Sequence, residues 1–203
     1  MMENWLYSSK TRKSELNGDI IVTRRLGAWT VEVDGTYQTS SYTNEMWEDV
    51  VERAATERGI QSVARVLLIG LGGGGAVGAV ARRFPGAEVT AIEHDPTMVD
   101  IAKDIKLHKP GAFPNVIVAE AGAAIPKLTE RYDLIIVDIF SGKNLAPEVS
   151  EDAFWNALKA RLAPGGIVSV NVSGHRDAMR LIAQQFPSGS IWKFRRNTLG
   201  AFW

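Results

Sequence analysis

From Arg65 onward the chain alternates short apolar runs with segments of helical potential, the runs being RVLLIG, EVTAIE, NVIVAE, YDLIIVD and GGIVSVNV. Runs of this length bounded by polar residues suit strands buried on both faces. Strands separated by helices pair in parallel, because a parallel neighbour is reached only through a helix-sized crossover. These residues therefore predict βαβ units around a parallel sheet. The last stretch, SIWKFRRNTLGAFW, holds no helical pattern and reads as two strands joined at Arg196 and Asn197, an antiparallel hairpin on the sheet edge.

Between Asp19 and Ser40 the pattern has period two: Trp29, Val31 and Val33 alternate with Thr30, Glu32 and Asp34, and Asp34-Gly35 supplies a hairpin turn. Asn44 reads as the N-cap of a following helix. Its apolar positions Met46, Trp47, Val50, Val51, Ala54 and Ala55 recur at helical spacing and end near Gly59. The expected division is an N-terminal β-hairpin unit, residues 1–43, followed by an α/β domain, residues 44–203.

With 23 basic and 23 acidic side chains among 203 residues, no net field draws nucleic acid or an anionic membrane. There are no cysteines, which excludes disulfides and thiolate metal sites. His94, between Glu93 and Asp95 just before Pro96, suits an exposed turn, and neither His108 nor His175 has a ligand-spaced partner, so no metal site is expected. The first 20 residues are charged at Glu3, Lys10, Arg12, Lys13, Glu15 and Asp19, without the apolar stretch of a signal peptide, and a cytoplasmic location is the expectation.

The run at Arg65 leads into five glycines within six positions, Gly70 to Gly75, before the chain resumes as AVGAV. Glycine lets backbone approach a ligand closely, and a helix N-terminus offers N–H groups. The next strand ends in Glu93, 23 positions after Gly70, where an acid can take both hydroxyls of a ribose. Glu120 closes the third strand and Asp138 the fourth. Three strand-end carboxylates suit a nucleoside with a cationic tail.

The segments VLLIGLGGGGAV, AIEHDP, VIVAEAG, YDLIIVDIFSG and LAPGGIVSVNV resemble, in order and spacing, the spermidine synthase-like (polyamine aminopropyltransferase) branch of the class I S-adenosylmethionine-dependent methyltransferase fold. AWTVEVDGTYQTS is similar to the β-hairpin domain of that family. The resemblance implies a Rossmann-like, mostly parallel seven-stranded sheet with a small N-terminal β-hairpin domain. It implies a cofactor site of Gly70, Gly72, Gly73 and Gly74 around the sulfonium tail, Glu93 on the ribose, Glu120 near adenine and Asp138 at the reaction centre. Gln38 and Ser141 fall toward the substrate. The family also implies a homodimer, for which Trp29, Tyr37 and Trp47 are the expected surface.

Two departures bear on the reaction. The family's glycine loop carries an aspartate where this chain has Gly73, and its aspartate-x-x-aspartate-proline stands here as Asp138, Ile139, Phe140, Ser141 and Gly142. Each missing acid is an ionic partner for an ammonium group, about 1.5–3 kcal/mol as a charged hydrogen bond. Gly73 also removes a charge that would repel the carboxylate of intact S-adenosylmethionine, leaving loop N–H groups to receive it. The residues therefore rank S-adenosylmethionine-dependent alkyl (methyl) transfer to a small molecule first. Aminopropyl transfer from decarboxylated S-adenosylmethionine to a polyamine is the alternative, and a non-catalytic nucleoside-binding module the third reading. Asp138 would orient the nucleophile, or accept its proton, for in-line attack at the carbon next to sulfur. The segment FSGKNLAPEVS that follows reads as a lid.

Overall fold

The computed structural model describes residues 6–108, 111–141 and 143–203, with the side chain of Ser141 outside that description. Four antiparallel strands come first: β1 (Tyr7–Ser14), β2 (Gly18–Arg25), β3 (Ala28–Val33) and β4 (Thr36–Thr39). They pair in chain order, and the expected turn at Asp34-Gly35 joins β3 to β4. The period-two pattern of β3 turns Val31 and Val33 inward beside Ile20 of β2, all three buried. Strand β1 is absent from the sequence expectation because YSSKTRKS is exposed along most of its length and carries no apolar face to read.

Helix α1 (Ser41–Arg58) starts four residues earlier than the expected cap at Asn44 allows. Ser40 is the N-cap: its hydroxyl accepts the Thr43 N–H at 3.2 Å, while Thr43 Oγ1 accepts the Ser40 N–H at 2.7 Å, a reciprocal pair that satisfies two donors at once. Asn44 lies inside the first turn. The helix ends, as expected, at Gly59 in the left-handed conformation.

The α/β part runs β5 (Arg65–Ile69), α2 (Gly75–Arg83), β6 (Glu88–Glu93), α3 (Pro96–Ile105), β7 (Asn115–Val118), α4 (Ala121–Ala124) and β8 (Tyr132–Val137). It continues through a ribbon, β9 (Phe140–Ser141) and β10 (Asn144–Leu145), to α5 (Asp152–Arg161), β11 (Leu162–Asn171), α6 (Arg176–Ala183), β12 (Gly189–Phe194) and β13 (Asn197–Phe202). The sheet has seven strands in the order β12-β13-β11-β8-β5-β6-β7. The five from β11 to β7 are parallel, and β13 and β12 complete the edge in antiparallel pairing, as the sequence predicts. The hairpin turn is one residue earlier than expected, at Arg195 and Arg196, because Asn197 already pairs with Phe194.

Both faces of the sheet are covered, which is why its strands read as unbroken apolar runs. Val66 and Leu68 of β5 and Leu134 and Ile136 of β8 share one core with Val50 and Val51 of α1 and Val77 and Val80 of α2. Leu67, Ile69, Ile135 and Val137 point the other way, toward Trp155 and Leu158 of α5. Each such fully buried side chain is worth about 1.5–3 kcal/mol. The small sheet is attached separately: Ile20, Val31 and Val33 pack on Met98, Ile101 and Ile105 of α3. Trp47 is 4% exposed and belongs to the α1 core, so it is withdrawn from the expected dimer surface, whereas Tyr37 is 49% exposed. No helix of the described residues is long and apolar enough to cross a membrane.

Candidate active site

Open α/β sheets take ligands at the carboxyl ends of their strands. Here the ends of β5, β6 and β8 are locked to one another by backbone: the Gly70 N–H donates to the Ile92 carbonyl at 2.9 Å, and the Asp138 N–H to the Ile69 carbonyl at 2.8 Å. Gly70 stands at φ +92°, and a Cβ there would run into the Asp138 carbonyl oxygen. Its lack of a side chain is therefore required by strand packing, whatever ligand the loop receives.

The loop turns its amides toward the protein. The Leu71 N–H donates to Glu93 Oε2 at 2.9 Å, and the Asp95 N–H to Glu93 Oε1 at 2.9 Å. Burial pushes the Glu93 carboxyl above its ordinary range, against the downward pull of those N–H groups. The Gly72 N–H adds to that downward pull. The Gly73 N–H donates to Thr39 Oγ1 at 2.8 Å, and a Cβ on Gly73 would lie 2.5 Å from that oxygen and 2.8 Å from Ile105 Cδ1. This corrects the sequence expectation for Gly73: its amide is taken, and a side chain there would point into the seam between β4 and α3. Gly74 is the N-cap residue of α2, its N–H on the Leu71 carbonyl at 3.0 Å.

Asp138 is held from the other side. Asn171 Nδ2, at the end of β11, donates to Asp138 Oδ1 at 2.9 Å. Asn171 Oδ1 accepts both the Ser173 N–H at 2.9 Å and Asn197 Nδ2 at 3.0 Å, which fixes the direction of the amide. Asn197 Oδ1 in turn accepts the Tyr42 hydroxyl at 2.6 Å. Every bond in the row donates toward Asp138. Burial raises the Asp138 carboxyl to about 7, with the Asn171 bond lowering it and the Glu93 charge raising it further.

A narrow cleft of about 120 Å³ lies over these ends, lined by Gln38, Gly70, Gly72, Glu93, His94 and Asp138 among others. A second chamber, about 390 Å³, adjoins it, and Gln38, Asp138 and Phe140 line both. Asp138 thus stands at the junction. Glu120 is the expected residue that the structure keeps out of this group: its side chain is 65% exposed and faces His94 at 3.7 Å, although its neighbours Ala119 and Ala121 line the cleft. Ser141 is on β9 and its side chain lies outside the described residues. The expected lid is the β9–β10 ribbon and a short 3-10 turn over Pro147–Ser150, pinned where Trp155 Nε1 donates to the Val149 carbonyl at 2.9 Å.

A further cavity, about 940 Å³, is at the opposite end of the strands, lined by Arg65, Glu88, Asn115 and Tyr132 among others. It touches none of the strand-end carboxylates. Thr39, Tyr42, Asn171 and Asn197 were missed in the sequence. A polar Asn171 closing the apolar run GGIVSVNV is the one local signal among them.

A family model described as a methyltransferase domain matches residues 66–166. The chain is 26% identical over 172 residues to polyamine aminopropyltransferase 1 of Pseudomonas aeruginosa, covering 82% of this chain and 59% of the relative. It is 28% identical over 110 residues to the polyamine aminopropyltransferase of Vibrio vulnificus, covering 53% of this chain and 37% of the relative. The crystal structure of a probable spermidine synthase from Corynebacterium glutamicum matches with a TM-score of 0.77 at 19% identity, over 96% of this chain and 80% of that one. The chain spans less than two thirds of the length of those two curated relatives, 37% and 59%.

The order of the seven strands and the cleft at their carboxyl ends define a domain of the class I methyltransferase fold. Within that fold the chain is similar to the polyamine aminopropyltransferases named above, the branch that its motifs resemble.

Proposed function

We propose that the chain is a transferase that holds an adenosyl sulfonium ligand in the narrow cleft and an acceptor in the adjoining chamber, with the transfer at Asp138. The observation that carries this reading is the pair of half-buried carboxylates, Glu93 and Asp138, in one cleft that Gln38 of the N-terminal sheet also lines. Glu93 lines the cleft and turns acceptor oxygens toward the place of the two hydroxyls of a ribose, which is the fit the ligand requires. When bound, the sulfonium supplies an activated carbon. The chain's own work is then to hold the acceptor in line, exclude water, and take a proton at the Asp138 carboxyl, whose affinity near neutral pH suits a general base.

Gly73 no longer argues for the intact cofactor, since its amide serves Thr39. The names of the relatives favour aminopropyl transfer over methyl transfer, so the decarboxylated donor ranks first here. Calorimetry with S-adenosylmethionine, its decarboxylated form and methylthioadenosine tests this. Binding of the decarboxylated form ahead of the intact one is expected, together with loss of affinity by about tenfold or more in Glu93→Gln, where one oxygen becomes a donor. No binding by any of the three favours the non-catalytic reading. A homodimer formed through the small sheet, where Tyr7, Ile21, Leu26 and Tyr37 are exposed, is part of the same proposal, and a monomer in sedimentation at micromolar concentration refutes it.

A further inference from the structure

The chamber beside Asp138 is wide enough for a small ligand, and its charge is unlike that of a site for a diamine. Among its described lining residues Asp138 is the one acid, set against two cations, Lys143 and Arg196, with the neutral polar groups of Tyr42, Asn171, Ser173 and Asn197 between. A diamine carries an ammonium at each end, and each ammonium needs an anionic partner. Here the end away from Asp138 offers cations instead.

Arg196 is placed by construction. It sits at the turn of the β12–β13 hairpin next to Arg195, which stands at φ +52°, a conformation where glycine is the inexpensive choice. Arg195 is tied to α1 through Glu45 at 3.2 Å and lies over the Tyr42 ring. Arg196 lies over the same ring, its Cζ 5.5 Å from the centroid. Glu45 of α1 is thus engaged by Arg195, while Arg196 lines the chamber. From Asp138 the contacts run outward through Asn171, Asn197 and Tyr42 to Arg196, so opposite charges mark the two ends of one row.

Resting on the transferase reading, we infer that the acceptor carries an anionic group, a carboxylate or a phosphate, held by Arg196 and Lys143, with its nucleophile at Asp138. An amino acid with a terminal amine, or an amino phosphate, has this form. The amine nitrogen forms a bond to the carbon next to sulfur, the carbon–sulfur pair leaves on sulfur as a neutral thioether, and the nitrogen's proton goes to the Asp138 carboxylate.

The test compares putrescine with 4-aminobutyrate, which has the same number of carbons and a carboxylate in place of one whole aminomethyl group, and with 3-aminopropyl phosphate. Calorimetry is run on the whole chain with and without saturating methylthioadenosine. Both anionic probes should bind at least about tenfold more tightly than putrescine, and whichever is tighter identifies the carboxylate or the phosphate as the source. Arg196→Glu should reverse the preference and Arg196→Gln should reduce it. Arg196 is exposed at a hairpin tip, so an unchanged melting curve establishes that both variants fold. Putrescine binding as tightly as the anions, an anion preference that both Arg196 variants retain, or no binding of any probe at millimolar concentration overturns the inference. Anion preference without methylthioadenosine binding refutes the adenosyl reading alone.

Discussion

Asp138→Asn isolates the cost of keeping a carboxylate at the junction. Asparagine is isosteric, and its Oδ1 can still accept the Asn171 Nδ2–H, so the row of amides is preserved. What disappears is a proton equilibrium: the carboxyl titrates at about 7 in the folded protein against 3.8 for an ordinary aspartate. A raised acid leaves stability intact below pH 3.8, where both states hold the proton. Stability then falls as pH rises, because the unfolded chain ionises first, and levels off above the folded value. A gap of about three pH units corresponds to about 4 kcal/mol, and partial solvent access at the cleft reduces this to about 2–4 kcal/mol. Urea unfolding of wild type and variant from pH 4 to pH 8 should therefore give curves that diverge with pH, the variant ending more stable by that amount. The proposed transfer should be lost at the same time. Parallel curves across this range would refute the assigned burial of the Asp138 charge.

Gly70→Ala should lower stability by about 3 kcal/mol or more, read as a fall in melting temperature, because a methyl group meets the Asp138 carbonyl at positive φ; an unchanged melting point contradicts the close approach. Gly73→Asp should likewise destabilise, by forcing a carboxylate between Thr39 and Ile105, and should leave the ratio of affinities for intact and decarboxylated S-adenosylmethionine unchanged in the folded fraction; a clean switch of that ratio restores the role read from the sequence. Asp95 accepts Ser14 Oγ at 2.6 Å, Asn17 Nδ2 at 2.6 Å and the Thr97 N–H at 2.8 Å. Burial works to raise its pKa, but these bonds outweigh it and the carboxyl is lowered. Its stabilisation is therefore present above pH 3.8 and lost as pH falls through the lower folded value. Asp95→Asn should cost about 1–3 kcal/mol at pH 7, with the deficit closing during acid unfolding; a constant deficit down to pH 2 excludes the linkage.

The parts of the fold that were legible in the sequence are those where burial acts on one strand at a time. The runs in β5, β6, β8 and β11 announce themselves because both faces of the sheet are covered, and the alternation in β3 because one face is. Strand β1 left no such trace, since its pairing with β2 is made by backbone and its side chains stay in water. In the site, Glu93 and Asp138 could be found because strand ends are where an α/β sheet collects ligands. The Tyr42–Asn197–Asn171 row could not, because Tyr42 and Asn197 are 155 positions apart and meet only when the hairpin closes on α1. Gly73 was misread for a related reason: its neighbour Thr39 comes from the other sheet, 34 positions away.

The direction of that row restricts traffic. An amide nitrogen is not a base, and Asn171 already spends both acceptor positions of its oxygen on Ser173 and Asn197, so no proton can hop from Asp138 back toward Tyr42. The wall insulates electrically useful charge without conducting it. A proton gained by Asp138 must depart through water admitted at the mouth of the cleft or chamber, the openings by which small molecules come and go. In the proposed transfer, discharge of the base and emptying of the site therefore use the same openings, so closing them would hold back the proton as well as the product.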